Sequence, residues 1–140
     1  MASRSDDDCL FCRIVRGTVA SHVVHEDEHT LAFLDINPAA DGHTLVVPKT
    51  HAQDLFDIDA DSAAAVMRSA KVVAAQIDLA LAPDGLTVVQ SNRPAGWQDV
   101  FHFHMHVVPR RHGDRLVQPW APRPARPGTL DDVARQIRQA

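Results

Sequence analysis

Three histidines alternate with apolar residues in the C-terminal half of the sequence. His102, His104 and His106 are separated by Phe103 and Met105, in a chain that has nine histidines among 140 residues. On a strand such residues point to one side at steps of roughly 7 Å, too wide for one ion but suited to lining one pocket. Desolvating several imidazoles on one face is costly unless each has a partner. The row therefore indicates metal binding, anion binding or catalysis.

The two cysteines of the chain, Cys9 and Cys12, form a second candidate group. The polar, acidic residues before them do not resemble a secretory signal, so we expect a cytoplasmic protein in a reducing compartment. There, this spacing indicates a metal site or a redox pair rather than a structural disulfide. A plain pair of reduced thiols in a turn is the third interpretation, and the choice depends on partners elsewhere in the chain.

Apolar runs and turn residues predict the elements that must position these side chains. A helix is predicted from a cap at Asp61 or Ser62 to about Leu81. Thr129 and Asp132 resemble a capping box that opens a short C-terminal helix. Strands, the last of which carries the histidines, are predicted at residues 23–24, 30–34, 43–47, 86–89 and 100–109. The pattern predicts an α+β fold with mostly antiparallel strands.

Length and composition indicate one globular domain, with 45% hydrophobic and 23% charged residues. We expect a disordered acidic leader over residues 1–8, a domain over 9–118, and a proline- and arginine-rich arm with a short helix over 119–140. No apolar run approaches the roughly 20 residues of a membrane span. The arginines of the arm are not interleaved with aromatic residues, so we expect no nucleic-acid polymer as a partner.

With its pattern His-x-His-x-His-x-x, where x is apolar, the segment 102–108 resembles the signature of the histidine triad (HIT) superfamily. Residues 31–38, 42–51 and 92–98 resemble further family blocks in the family's order, so the resemblance covers about Cys9 to Arg111. It implies a five-stranded antiparallel sheet with one long helix and a short C-terminal helix, in a homodimer whose sheets join into ten strands. It also implies a hydrolase or transferase acting at the α-phosphate of small purine nucleotides.

The resemblance also assigns roles to individual residues. His104 would be the nucleophile and would form a nucleotidyl-histidine intermediate, since a neutral imidazole is nucleophilic near pH 7. His106 and His43 would line the same pocket and, as protonated donors, stabilise the charge of the transition state. Three further polar residues would bind the nucleotide: Asp35 the ribose, and Gln98 and Asn92 the phosphates. For each of these three a plain turn or cap role is an alternative.

In a zinc-containing, Hint-like bacterial branch of the superfamily, a Cys-x-x-Cys pair binds zinc together with two histidines. The matching residues here are Cys9, Cys12, His51 and His102. Two thiolates and two imidazoles make a closed tetrahedral set, which implies a structural zinc that supports folding rather than catalysis. His102 would then fix the strand that carries His104 instead of acting as a base.

Two residues depart from the family pattern. Trp97 stands where many relatives have glycine, and Asp99 stands where serine or threonine is common, so a carboxylate faces the phosphate unless it pairs with Arg93. Adenosine 5′-phosphoramidates are the leading substrate hypothesis, and dinucleoside polyphosphates are the alternative. A zinc-stabilised nucleotide-binding module with little turnover is the alternative of another class. A redox protein using the two cysteines is a more distant one.

Overall fold

A computed structural model describes residues 5–117 and 120–140 of the chain. In chain order the helices are α1 (Leu10–Val15), α2 (Ala60–Leu81) and α3 (Thr129–Arg138). The strands are β1 (Val23–Glu26), β2 (Thr30–Leu34), β3 (Thr44–Pro48), β4 (Gly85–Gln90) and β5 (Met105–Arg110). A 3₁₀ turn, Pro94–Gly96, lies in the loop between β4 and β5. Within the described residues, no helix is long and apolar enough to cross a membrane.

The five strands form one antiparallel sheet in the order β1-β2-β3-β5-β4. Strands β2 and β3 are central and buried on both faces, which explains why their sequences are continuously apolar rather than alternating. The predicted five-stranded antiparallel sheet with one long helix and a C-terminal helix is therefore confirmed. The ten-stranded dimeric sheet stays a prediction.

The two faces of the sheet are covered by different helices. On one face, α2 packs its buried stripe, including Val66, Val73 and Ile77, against Ala32 and Val46. On the other face, α1 packs Phe11 against alternate residues of the same strands: Leu31, Phe33, Leu45 and Val47. Strand residues alternate between faces, so the short helix α1 and the long helix α2 lie on opposite sides.

Helix α2 begins two to three residues earlier than predicted. Its N-cap is Asp59, whose carboxylate accepts hydrogen bonds from the Ser62 backbone N–H at 2.8 Å and the Ser62 hydroxyl at 2.9 Å. The sequence Asp59-Ala60-Asp61-Ser62 holds three residues that can cap, and only the first closes this pair of bonds. Helix α3 begins at Thr129 with Gly128 as N-cap and no side-chain cap bond, so the predicted capping box is wrong.

The predicted strand over residues 100–109 is also wrong at its start. Strand β5 begins at Met105, which pairs with Val46 of β3 and Gln90 of β4. Before it, the chain turns toward the segment that follows β3, where the Phe103 backbone N–H donates to the Ala52 carbonyl at 2.7 Å. Of the three histidines only His106 therefore lies on a strand. Phe101, expected on the packed face, is 46% exposed.

The N-terminal residues contain a helix that the sequence pattern does not predict. The segment around Cys9 and Cys12 forms helix α1, with the Cys9 side chain as N-cap, accepting from the Cys12 backbone N–H at 3.4 Å. A helix of six residues leaves too short an apolar pattern to detect. Asp6 of the acidic leader contacts this helix, since its backbone N–H donates to the Cys12 sulfur at 3.4 Å. Leader residues 1–4, domain residue 118 and arm residue 119 lie outside the described part, and the three domain limits stay predictions.

Candidate active site and metal centre

Helix α1, the segment after β3 and the segment before β5 bring four metal-binding side chains together. The ligand atoms of Cys9, Cys12, His51 and His102 all lie within 4.8 Å of one another. The two histidine Nδ1 atoms are 3.2 Å apart, and the Cys12 sulfur lies 3.3 Å from that of His51 and 3.5 Å from that of His102. Residues far apart in sequence thus meet in the arrangement that the resemblance implies.

The hydrogen bonding of His102 shows which ring nitrogen is available to a metal. Its Nε2 lies 2.9 Å from the carbonyl oxygen of Pro48, so Nε2–H donates to that oxygen and Nδ1 carries the lone pair. That Nδ1 points at the sulfur of Cys9, at 3.4 Å. Burial lowers the pKa of His102 to about 4, which keeps the ring neutral. A neutral imidazole oriented by a backbone carbonyl is the usual form of a metal-bound histidine.

The distances in this cluster fit a tetrahedral zinc ion. Ordinary zinc bond lengths place two nitrogen ligands about 3.3 Å apart, and a nitrogen and a sulfur about 3.6 Å apart. The distances of 3.2 Å between nitrogens and 3.3 to 3.5 Å between nitrogen and sulfur are close to those values. Burial raises the pKa of the Cys9 thiol, so its thiolate would form together with metal binding. The cluster can hold a metal ion.

His104 presents a bare nitrogen to a cavity. Its Nδ1 lies 2.7 Å from the carbonyl oxygen of His102, so Nδ1–H donates to it and the neutral ring carries its lone pair on Nε2. The ring of Phe11 packs edge-on against His104, with centroids 5.2 Å apart. Both contacts hold the imidazole in one orientation, as a nucleophile requires.

A chain of hydrogen bonds orients the other two histidines. The backbone N–H of Ala39 donates to Nδ1 of His43 at 2.9 Å, so the neutral His43 ring must carry its proton on Nε2. That Nε2–H donates to Nδ1 of His106 at 2.9 Å, which leaves the His106 proton on Nε2. The rings of His104 and His106 lie with centroids 5.0 Å apart. A lone pair of His104 and a donor of His106 are therefore side by side.

The resemblance implies that His43 and His106 act as protonated donors, whereas burial in this structure favours the neutral form of both rings. Burial lowers the pKa of His106 to about 4, and the imidazoles of His104 and His43 lower it further. Burial also lowers the pKa of His43, against an opposing effect of Asp35. Near pH 7 both residues are neutral, and each can donate through one N–H only.

Asp35, His43 and His106 also lie close enough to hold a metal, with ligand atoms within 4.8 Å of one another. The nearest carboxylate oxygen of Asp35 is 3.6 Å from Nε2 of His43. A metal at that nitrogen would require the proton to move to Nδ1, where it would meet the N–H of Ala39. The arrangement therefore favours a hydrogen-bonded chain over a second metal centre.

The cavity beside His104 has a volume of about 210 Å³ and lies between α1 and the sheet. The polar part of its wall includes Asp35, Asp99, His104 and His106, together with Ser21 and Asn37. Its apolar part includes residues from α1 that the sequence pattern does not single out: Leu10, Phe11 and Ile14. The sequence offers one indication of these residues, because Phe11 lies within the Cys9-Leu-Phe-Cys12 motif. Without the helix, however, the motif does not show that Phe11 lines the cavity.

Gln98 and Asn92 are bonded to the protein and do not line this cavity. The Gln98 amide donates to the carbonyls of Gln53 and Val100, at 2.6 and 3.1 Å, and accepts from the Arg93 backbone N–H at 2.7 Å. The Asn92 side-chain oxygen accepts from the Leu55 backbone N–H at 2.7 Å. Both amides join the β4–β5 loop to neighbouring segments, so in this structure they position the loop.

The two unusual residues of that loop have separate positions. Trp97 adopts the left-handed conformation that favours glycine, with φ of 72°. The residue is 61% exposed and lines, with Trp120, a different cavity from the one that His104 lines. Asp99 lies at the cavity, with one carboxylate oxygen 3.7 Å from Nε2 of His104. The expected pairing of Asp99 with Arg93 is not seen, because the Arg93 guanidinium lies over the Phe56 ring at 4.1 Å.

Comparisons with known proteins agree with this arrangement. The family model described as HIT domain matches residues 16–113. A HIT-like protein of Mycoplasma genitalium is 44% identical over 110 residues, which cover 79% of this chain and 78% of the relative. The Arabidopsis thaliana adenylylsulfatase HINT3 is 33% identical over 120 residues, covering 86% and 59%.

One solved structure bears on the metal cluster. A zinc-bound histidine triad family protein from Mycobacterium smegmatis is 40% identical and superposes with a TM-score of 0.76, over 83% of this chain and 84% of that one. Family model, sequence relative and solved structure thus point the same way. The chain belongs to the histidine triad (HIT) family.

Proposed function

We propose that the protein is a nucleotide hydrolase or transferase that acts at the α-phosphorus of purine nucleotides, with adenosine 5′-phosphoramidate-like substrates. One observation carries the proposal: the lone pair of His104 Nε2 faces a cavity of about 210 Å³, next to the N–H donor of His106. The Arabidopsis thaliana relative supports it, since its name gives an adenylyl compound as substrate. Family membership supports the same class of reaction.

The reaction would proceed in two displacements. Nε2 of His104 attacks the α-phosphorus, the bond from phosphorus to the leaving nitrogen breaks, and the leaving amine takes a proton from the solvent at the cavity mouth. In the resulting nucleotidyl-histidine, Nδ1–H still donates to the His102 carbonyl, which stabilises the positive ring. A water molecule, or another acceptor, then attacks phosphorus and releases its proton to solvent, the phosphorus–Nε2 bond breaks, and the lone pair returns to His104.

The remaining cavity residues would bind the nucleotide. Phe11, Phe33 and Leu45 offer an apolar wall to the purine base. We propose that Asp35 accepts hydrogen bonds from the ribose hydroxyls, because its carboxylate lines the same cavity. His106 would donate to a phosphoryl oxygen through Nε2–H, with His43 keeping that tautomer. Direct contacts of Gln98 and Asn92 with phosphate stay a prediction.

We propose that the metal cluster holds a structural zinc ion. Cys9, Cys12, His51 and His102 would be its four ligands, with no open position for substrate. Zinc would supply folding free energy and would join α1 to the segment that carries His104. The proposed partners are a small nucleotide and a second copy of the chain; the homodimer and the cytoplasmic location stay predictions.

A second candidate function is nucleotide binding with little turnover. The observation that favours it is the carboxylate of Asp99 at 3.7 Å from Nε2 of His104, where it opposes the approach of an anionic phosphate. The enzyme interpretation is tested by release of AMP from a fluorogenic adenosine phosphoramidate. Wild-type protein, His104→Ala and a control, His112→Ala, which changes an exposed histidine outside the cavity, are compared.

We expect turnover by the wild type and by His112→Ala, and its loss by at least about a thousandfold in His104→Ala, because no other group replaces the nucleophile. AMP binding should persist in all three proteins. Substantial turnover by His104→Ala would contradict the nucleophile assignment. No turnover by any of them, with AMP bound, would favour the binding module.

A further inference from the structure

The charge of the cavity wall is unusual for a site that receives a phosphate. Among the described residues that line the cavity, two are carboxylates, Asp35 and Asp99, and none is lysine or arginine. His106, the imidazole donor beside them, is neutral near pH 7. An anionic nucleotide therefore meets a wall whose formal charge is negative, and a further negative charge on the substrate would be disfavoured.

The two carboxylates lie at different depths. The Asp35 side chain is 18% exposed and contacts His43, whereas the Asp99 side chain is 81% exposed. The apolar wall that suits the base is enclosed by α1 and the sheet, so the nucleoside would occupy the inner part. The leaving group must then face the solvent-open mouth. At that mouth Asp99 is the charged residue within 3.7 Å of the attacking nitrogen.

The Asp99 carboxylate keeps its charge available to a ligand. Its one short hydrogen bond given by the structure comes from the neighbouring Val100 backbone N–H at 2.9 Å. The nearest cation in sequence, Arg93, stacks on Phe56 instead. The contact of Asp99 with Nε2 of His104, at 3.7 Å, is longer than a hydrogen bond. A substituent on the leaving group could therefore pair with this carboxylate.

We propose that Asp99 is a specificity-determining residue that selects leaving groups carrying a positive charge, such as amines with a second, protonated amino group. This inference rests on the proposed function, and it deepens it by naming the class of leaving group. The Asp99 carboxylate would disfavour polyphosphate leaving groups, which add negative charge at the mouth of the cavity. This discrimination between leaving groups is electrostatic, so added salt weakens it.

The test uses three adenosine 5′-phosphoramidates whose amines have equal length and end in an ammonium, a hydroxyl or a carboxylate group. The specificity constant kcat/KM is measured at low and high salt, because it covers the steps up to departure of the leaving group. Wild type is compared with Asp99→Asn, which retains an oxygen to accept from Val100, and with Asp78→Asn. Asp78 is an exposed acid on α2, on the other side of the sheet.

We expect the wild type and Asp78→Asn to prefer the ammonium substrate about threefold over the hydroxyl one and about tenfold over the carboxylate one at low salt. Asp99→Asn should lose most of this ranking. An unchanged ranking in Asp99→Asn would overturn the proposal. So would an equal fall in kcat for all three substrates, which would place Asp99 in the water step that they share.

Failure of the proposed function gives a different result. If the wild type releases no AMP from any of the three compounds, the enzyme proposal fails while the selection can still be measured. The three compounds are then compared as competitors of bound AMP. The same order of affinities, lost in Asp99→Asn, would support the role of Asp99, and equal affinities would overturn it.

Discussion

The backbone oxygen of His102 accepts a hydrogen bond from Nδ1 of His104 at 2.7 Å, while the His102 ring faces Cys9, Cys12 and His51. One residue thus contributes its side chain to the metal cluster and its backbone carbonyl to the proposed nucleophile. Whatever fixes the His102 ring also fixes the acceptor that sets the tautomer of His104. The metal cluster and the proposed catalytic site are therefore coupled through His102.

Cys12→Ser is expected to lower zinc content and thermal stability together. Removing one ligand of a closed four-ligand site forfeits much of a binding free energy of several kcal/mol. We expect the melting temperature to fall by roughly 10 °C or more. Thermal melts and zinc analysis of the purified proteins, each with and without a chelator, provide the measurement.

The chelator serves as the internal control for this variant. It should destabilise the wild type and leave Cys12→Ser nearly unchanged, since the variant has little metal to lose. Through the His102 carbonyl, kcat of Cys12→Ser measured below its melting temperature should fall about tenfold. An unchanged melting temperature together with retained zinc would contradict the structural-zinc proposal.

Asp35→Ala is expected to weaken ribonucleotide binding far more than deoxyribonucleotide binding. The carboxylate accepts from the Asn37 backbone N–H at 2.8 Å through one oxygen and keeps lone pairs for ribose hydroxyls. A lost charge-assisted hydrogen bond is worth about 1.5 kcal/mol or more, which is at least tenfold in Kd. Titration calorimetry with AMP and deoxy-AMP measures the difference. Asp41→Ala, in the neighbouring turn, is the control, and equal losses for both nucleotides would exclude ribose recognition.

The folded protein is expected to lose stability in acid partly through His106. Burial holds the pKa of His106 at about 4, against about 6.5 for an unfolded histidine, so the unfolded chain binds more protons between these values. The contribution is complete above about pH 6.5 and is lost as the pH falls toward about 4. In urea unfolding, the free energy should therefore decline less steeply between about pH 7 and about pH 5 in His106→Gln than in the wild type. Parallel pH profiles would contradict the assignment.

The sequence predicts those features that depend on the local apolar pattern or on the spacing of family motifs. The strands around Phe33 and Val46 and the long helix form where the apolar pattern predicts them. The four candidate metal ligands that the motif spacing indicates lie close together, and their binding of a metal stays a proposal. Tertiary contacts decided the rest. Strand β5 begins only at Met105 because the Phe103 backbone N–H donates a hydrogen bond to the segment after β3. The tautomer of His43 depends on the backbone N–H of Ala39, which no sequence motif indicates.

Trp97→Gly is expected to stabilise the protein, despite the loss of a large side chain. Trp97 is held at φ of 72° and ψ of 22°, where a residue with a Cβ is strained and glycine is not. The residue is 61% exposed, so removing its side chain sacrifices little buried surface. Trp97→Ala is the matched control, because it removes the same indole and keeps the strain. We expect the free energy of unfolding of the glycine variant to exceed that of the alanine variant by about 1 kcal/mol, or roughly 3 °C in melting temperature.

Equal stabilities of the two variants would mean that the loop relaxes out of the left-handed conformation. A large loss of stability in both variants would mean that the indole packs against a surface, such as a second copy of the chain.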